Sequence, residues 1–201
     1  FSTVGTYDRL RELDLEGKRL KSLAGFDALT ELAALRIWDS RLDNLDELAA
    51  MDKLVALILY DKRVEDLTPL AGMTQLVQLD IGGNRMTDMA PVAGLPSVRR
   101  AYLFARKLDN LNIATTWPML NELVLFGRRL DSLDALDGSP TLNRLFLYRT
   151  RMSDFAVLQT MPNLNRLFMW RLRVDDLQQV LDIDSLTSFT ASATALNGGP
   201  N

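Results

Sequence analysis

Apolar residues return along this chain every 22 positions, in the phrase L-x-x-L-x-L-x-x-x-x-L. Leu10, Leu32, Leu54, Leu76, Val98, Leu120, Leu142, Leu164 and Leu186 each open one copy, and the interval never changes. A fixed period of this length marks a solenoid, in which each copy buries its apolar edge against the next. Residues 1–9 supply half a copy, with Phe1, Val4 and Tyr7 on its outer apolar positions, and the copy from residue 186 is partial.

Seven positions in each copy are mainly apolar; in the third they are Leu54, Leu57, Leu59, Val64, Leu67, Leu70 and Met73. The L-x-L core alternates, which predicts a short strand. The later apolar residues are three apart, which predicts a 3₁₀ turn or short helix. A polar column precedes that segment: Ser22, Asn44, Asp66, Asp88, Asn110, Ser132, Asp154 and Asp176. All are side chains that cap helical turns by accepting from free backbone N–H groups. Prolines at 96, 118, 140 and 162 fall where the segment must end. One copy therefore reads as strand, turn, capped outer segment and return.

This pattern resembles the leucine-rich repeat family, in the 22-residue class of bacterial internalins and phosphatase regulatory subunits. The stretch Val64–Leu79, VEDLTPLAGMTQLVQL, continuing into DIGGNRMTDM, carries the likeness best, and the phasing extends it over the whole chain. The resemblance implies an α/β solenoid: a right-handed superhelix with a parallel β-sheet on its concave face and short 3₁₀ or helical convex segments. One departure is systematic. The family places Asn eight residues after the first Leu, where its amide satisfies the turning backbone. Here the column reads Lys18, Ser40, Lys62, Asn84, Arg106, Arg128, Thr150, Leu172 and Thr194, and only Asn84 conforms. Neighbouring side chains or water must serve the other turns, or the turn itself must differ.

Composition removes whole classes of chemistry. The chain has 201 residues, a formal net charge of -3, no cysteine and no histidine. Ser-His-Asp and Cys-His catalysis, His/Cys zinc sites and disulfides are all excluded. No apolar run approaches the ~20 residues of a membrane span. None of the asparagines sits in an N-x-S/T sequon. No dedicated cap is legible at either end, and the chain reads as one domain that is a segment of a longer protein; half-copies acting as minimal caps are the alternative. Compartment is open between a bacterial surface and a cytoplasm.

Strand positions that face away from the core form columns. The one after the last strand leucine reads Glu16, Trp38, Tyr60, Gly82, Phe104, Phe126, Tyr148, Trp170 and Ser192. The one between the strand leucines reads Asp14, Arg36, Ile58, Asp80, Tyr102, Val124, Phe146, Phe168 and Thr190. Nine of the chain's fifteen aromatics fall in these two columns, where an even spread would place about one. Nine rings would exceed the ~300–600 Å² of a typical monomer's largest apolar patch, so a recognition surface is favoured over stacking alone. A third column reads Glu12, Ala34, Ala56, Gln78, Arg100, Glu122, Arg144, Arg166 and Ser188, with Asp39 and Asp61 beside the early rings and Arg149 and Arg171 beside the later ones. The face is thus acidic at one end and basic at the other. It predicts a protein or peptide partner whose acidic side meets Arg100, Arg144, Arg149, Arg166 and Arg171. Its apolar anchors would sit on Trp38, Tyr60, Tyr102, Phe104, Phe126, Phe146, Tyr148, Phe168 and Trp170.

A basic ladder also runs through the copies: Arg19, Arg41, Arg63, Arg85, Lys107, Arg129, Arg151 and Arg173. Phosphate binding is one reading. Self-neutralisation by the acidic column Asp43, Glu65, Asp109, Asp131 and Asp175 is the favoured one, and the negative net charge makes nucleic acid an unfavoured partner. Asp39, Asp61 and Asp80 could gather Ca²⁺ but lack a binding loop, so no metal or cofactor is expected. Gly82 and Gly83 interrupt the aromatic ladder as a pocket or a bend. Trp117 falls on a core column, and Ser139 is the polar exception there, a local soft spot. The function expected is non-catalytic recognition. Docking of another part of a larger chain, or glycan or nucleic-acid binding on the stacked rings, are the alternatives, and an enzyme is the least favoured class.

Overall fold

The structure, a computed structural model, describes residues 9–83, 85–86, 88–105, 111–152, 154–171, 173–174, 178–192 and 195–196. Phe1, Val4, Tyr7, Asn84, Arg106, Lys107, Asp109, Asn110, Leu172, Asp175, Asp176 and Thr194 lie outside the described residues, as do the side chains of Arg173 and of the closing segment.

Every copy contributes one strand to a single parallel sheet. The strands are β1 (Glu12–Glu16), β2 (Ala34–Ser40), β3 (Ala56–Asp61), β4 (Gln78–Gly83), β5 (Arg100–Ala105), β6 (Glu122–Phe126), β7 (Arg144–Tyr148) and β8 (Arg166–Trp170). After β9 (Arg173–Val174) and α1 (Gln178–Leu181) the sheet ends in β10 (Ser188–Ser192), and β11 (Ala195–Leu196) pairs with β9. Strands stand in chain order, and Leu13↔Leu35, Leu57↔Leu79 and Leu145↔Leu167 show the register of one residue to its counterpart 22 later. The period of the sequence is thus the register of the sheet.

Behind the sheet the repeated leucines form one continuous core. Leu35, Leu57, Leu79, Leu123 and Leu145 are fully buried, and so are Leu48, Leu70 and Leu158 from the 3₁₀ segments. Those segments, among them Thr68–Leu70, Ala90–Val92 and Asp134–Leu136, close the outer side. The predicted polar column closes the turn that leads into them, one residue ahead of the cap position in five copies and three ahead of it at Ser22. Ser22, Asn44, Asp66, Asp88, Ser132 and Asp154 each accept from the backbone N–H two residues on, at 2.8–3.3 Å. Trp117 is core as expected, 2% exposed, with its indole N–H donating to the Val92 carbonyl at 2.8 Å. Leu13, Leu15 and Phe189, on the terminal strands, have one neighbouring strand instead of two and stay half-buried. No helix among the described residues is long and apolar enough to cross a membrane.

Candidate functional site

Among the described residues the strand-exit turns that lack the asparagine include two kinds. In one, the residue seven after the first Leu takes a left-handed conformation: Asp39 (φ 50), Arg149 (φ 53) and Arg171 (φ 54). That twist presents this side chain toward solvent and turns the next one inward. Ser40 and Thr150 are accordingly buried. In the other kind the seventh residue stays inside, as Asp61 and Gly127 do, and the charged eighth residues Lys62 and Arg128 project outward. Asp61 then does the work of the absent asparagine. Its carboxylate accepts from the Ser40 hydroxyl at 2.6 Å and from the backbone N–H of Leu42, Arg63 and Val64 at 2.8, 2.5 and 2.8 Å. Asp61 is 2% exposed, so the expectation that it lies among the open-face charges is corrected: buried backbone donors recruit it inward.

The aromatic columns lie side by side on the solvent face of the sheet, in two groups. The first joins Trp38 to Tyr60 (stacked, 4.7 Å between centroids), Tyr60 to Phe104 (edge-on, 5.4 Å) and Phe104 to Phe126 (5.5 Å). The second gathers Phe146, Tyr148 and Trp170 around Phe168 at 6.0, 5.3 and 6.2 Å. Arg149 lies between them, its guanidinium 5.9 Å from the Phe126 ring centre. Stacking and exposure coexist. The rings pack along the face, yet Trp38 and Trp170 at its two ends remain 40% and 41% exposed. At Gly82 and Gly83 the gap in the ladder is a shallow pocket, into one side of which Tyr60 leans. Trp38, Tyr60, Phe104 and Phe126 wall an open depression of about 310 Å³ there.

On β4 and β6, within the span of the first group, the floor is acidic and closed. Asp80 is 3% exposed and Glu122 is 7% exposed. Glu122 accepts from the Tyr102 hydroxyl at 2.7 Å and from Arg144 at 3.2 Å. Asp80 accepts from the Gln78 amide at 2.9 Å, while its other oxygen, Oδ1, has no partner. Burial pushes the Asp80 carboxyl up to about 6, against the pull of Gln78 and Arg100. Burial, then the Glu122 hydrogen bond, pushes the Tyr102 phenol up to about 12, and burial raises the Tyr60 phenol as well. Sequence reasoning missed these two acids as floor residues. Asp80 stands between Ile58 and Tyr102, and Glu122 between Arg100 and Arg144, with the Tyr102 hydroxyl and Arg144 reaching it.

The charges sort by end, though unevenly. Arg36 is tied to Asp14 and Glu12 at 2.9 and 3.4 Å, so the acidic end is partly neutralised. Arg144 is held by Glu122. Arg100, Arg149, Arg166 and Arg171 have no carboxylate within ion-pair distance among the described residues. The basic ladder is neutralised by the acidic column in the third and fourth copies, where Arg63 meets Asp43 at 3.3 Å and Arg85 meets Glu65 at 3.0 Å. Among the described residues Arg19, Arg41, Arg129 and Arg151 form no ion pair. No group of three metal-ligating side chains occurs among the described residues.

This is the leucine-rich repeat fold, and solved structures of that class superpose on most of the chain. Internalin C2 of Listeria monocytogenes aligns over 92% of this chain and 82% of its own, at 21% identity and a TM-score of 0.76. A leucine-rich repeat protein of Leptospira interrogans aligns over 93% and 56%, at 16% identity and 0.74. Human 5T4, the trophoblast glycoprotein, aligns over 87% and 75%, at 22% identity and 0.66. The chain therefore spans little more than half of the Leptospira protein. No family model matches the sequence, and no curated protein matches it either.

Proposed function

We propose that the chain is a non-catalytic recognition module that binds a protein or peptide on the solvent face of its sheet. The contact residues would be Trp38, Tyr60, Tyr102, Phe104, Phe126, Phe146, Tyr148, Phe168 and Trp170, with Arg100, Arg144, Arg149, Arg166 and Arg171 receiving the partner's acidic groups. One observation carries the reading. Two contiguous aromatic groups lie on a face that no other described segment covers, with an exposed tryptophan at each end. Aromatic and arginine side chains dominate the energetics of protein interfaces, and a patch of this size is costly to leave wet.

The test is selection from a displayed peptide library. Parent protein should enrich peptides that combine acidic and apolar residues, and the Phe126→Ala/Trp170→Ala variant should lose them while keeping its circular dichroism spectrum. Equal recovery by parent and variant would remove the reading. If no free peptide binds but a segment of the same longer polypeptide does, the face serves intramolecular docking.

A further inference from the structure

Four guanidinium groups converge at the strand-exit edge of the sixth and seventh copies. Arg128, Arg129, Arg149 and Arg151 wall a cavity of about 490 Å³ with Phe126 as their apolar neighbour. Arg128, Arg129 and Arg151 are exposed and Arg149 is half-buried. None of the four forms an ion pair with a carboxylate among the described residues.

The corresponding edge of the first two copies carries Lys18, Arg19, Asp39 and Arg41, the same charges with one position reversed. Asp39 and Arg149 occupy the same position of their copies, in the same left-handed conformation. Lys18 precedes Asp39 by the interval that separates Arg128 from Arg149. In the early copies Asp39 closes the edge electrically, pairing with Lys18 at 3.8 Å and, more closely, with Lys62. In the later copies that counter-ion is itself an arginine, so the fold brings like charges together where its own repeat supplies a neutralising solution. Arg151 follows Asp131 by the interval that lets Arg63 reach Asp43 and Arg85 reach Glu65, yet it makes no such pair. The left-handed turn at Arg149 belongs to the same copy as Arg151. The backbone at Arg149 is fixed there by its N–H donating to the Trp170 carbonyl at 2.9 Å, and that at Arg151 by donation to the Leu130 carbonyl at 2.9 Å.

We propose that Arg128, Arg129, Arg149 and Arg151 form an oxyanion site that takes a phosphate or sulfate monoester carried on an aromatic ring, presented by a partner polypeptide. Guanidinium forks match the oxygens of such groups bidentately, and several of them around one anion serve where a single carboxylate would leave most donors unused. Phe126 supplies an apolar wall for the ring. The cavity, about 490 Å³, has room for a ring beside the anion. That the ester arrives on a partner polypeptide rests on the recognition reading above; the anion site itself does not.

Phenyl phosphate, phenyl sulfate and inorganic phosphate are titrated calorimetrically into the protein at low ionic strength. Saturable binding of a phenyl ester is expected, at least about tenfold tighter than inorganic phosphate and about tenfold or more weakened in Arg128→Gln/Arg151→Gln. Arg63→Gln, on the neutralised edge, should bind as the parent does. A failed peptide selection alongside intact phenyl ester binding would remove the partner reading and leave the anion site. No saturable binding, or binding unchanged in Arg128→Gln/Arg151→Gln, overturns the site. Equal affinity for inorganic phosphate overturns the aromatic carrier. Single-stranded RNA outcompeting the esters, with a steep salt dependence, would overturn the polypeptide in favour of nucleic acid.

Discussion

Tyr60 and Phe104 stand on strands two rungs apart, yet their rings meet at 5.4 Å across the backbone of Gly82. Two strand spacings amount to roughly 9–10 Å, so the contact exists only because the intervening residue has no side chain. A Cβ at position 82 would lie 2.6 Å from Tyr60 Cδ1 and 2.9 Å from Phe104 Cβ. The glycine therefore keeps the first aromatic group continuous.

Gly82→Ala should force Tyr60 out of the gap and part it from Phe104. Overpacking of this kind costs about 1–3 kcal/mol. Urea unfolding reads the loss, and Tyr60 ring resonances read the displacement. A variant with parental stability and unshifted Tyr60 signals would mean that the two rings do not meet across Gly82.

Asp61 makes a sharper prediction because its two oxygens divide their work. Oδ2 serves Ser40 and Leu42, and Oδ1 serves Arg63 and Val64. Asp61→Ala strands three buried or half-buried backbone donors and should cost on the order of 3 kcal/mol or more. Asp61→Asn keeps one acceptor oxygen and sets an amide against the other donors, so it should fall between. Thermal unfolding of the two variants ranks them. An alanine variant as stable as parent would show that water serves these turns.

How legible all this is in the sequence differs by level. The strands and the core follow from the 22-residue phase alone, because a parallel stack makes period and register the same quantity, as Leu57↔Leu79 illustrates. The polar column is equally direct, since Asp66 and Asp88 act on donors only two residues away. The two turn types are not, because they depend on a backbone sign at Asp39 and Arg149 that the period does not carry. A signal does exist. Charged Lys62 and Arg128 follow residues that stay inside, whereas Ser40 and Thr150 follow charged ones that point out. The burial of Asp80 and Glu122 lies further still from the sequence, since it comes from side chains on neighbouring strands.

Ser139 breaks the core column otherwise filled by Leu29, Met51, Met73, Leu95, Trp117, Met161 and Ile183, all at most 6% exposed. It is only half-buried itself. Ser139→Met restores the apolar side chain its neighbours carry and should stabilise the protein by about 1 kcal/mol through added apolar burial. The urea midpoint should rise with an unchanged slope. A fall in the midpoint would show that the space beside Ser139 is already filled.

Asp80 links the floor of the concave face to pH. Its carboxyl is pushed up to about 6 in the fold, by burial first, against about 3.9 in an unfolded chain. The folded state therefore holds this proton more tightly than the unfolded one. Stability from that proton is fully present below about pH 4 and is lost as pH rises through about 6. At pH 7.5 the protein carries a buried carboxylate with one oxygen unpartnered, a destabilisation of about 3 kcal/mol. Asp80→Asn removes the titration while retaining an oxygen for the Gln78 amide. It should raise stability at pH 7.5 by about that amount and change little at pH 4, flattening the slope between them. Urea unfolding of parent and variant at both pH values checks it. A variant no more stable than parent at pH 7.5 would mean that the carboxylate is better solvated, or better paired with Arg100, than its burial implies.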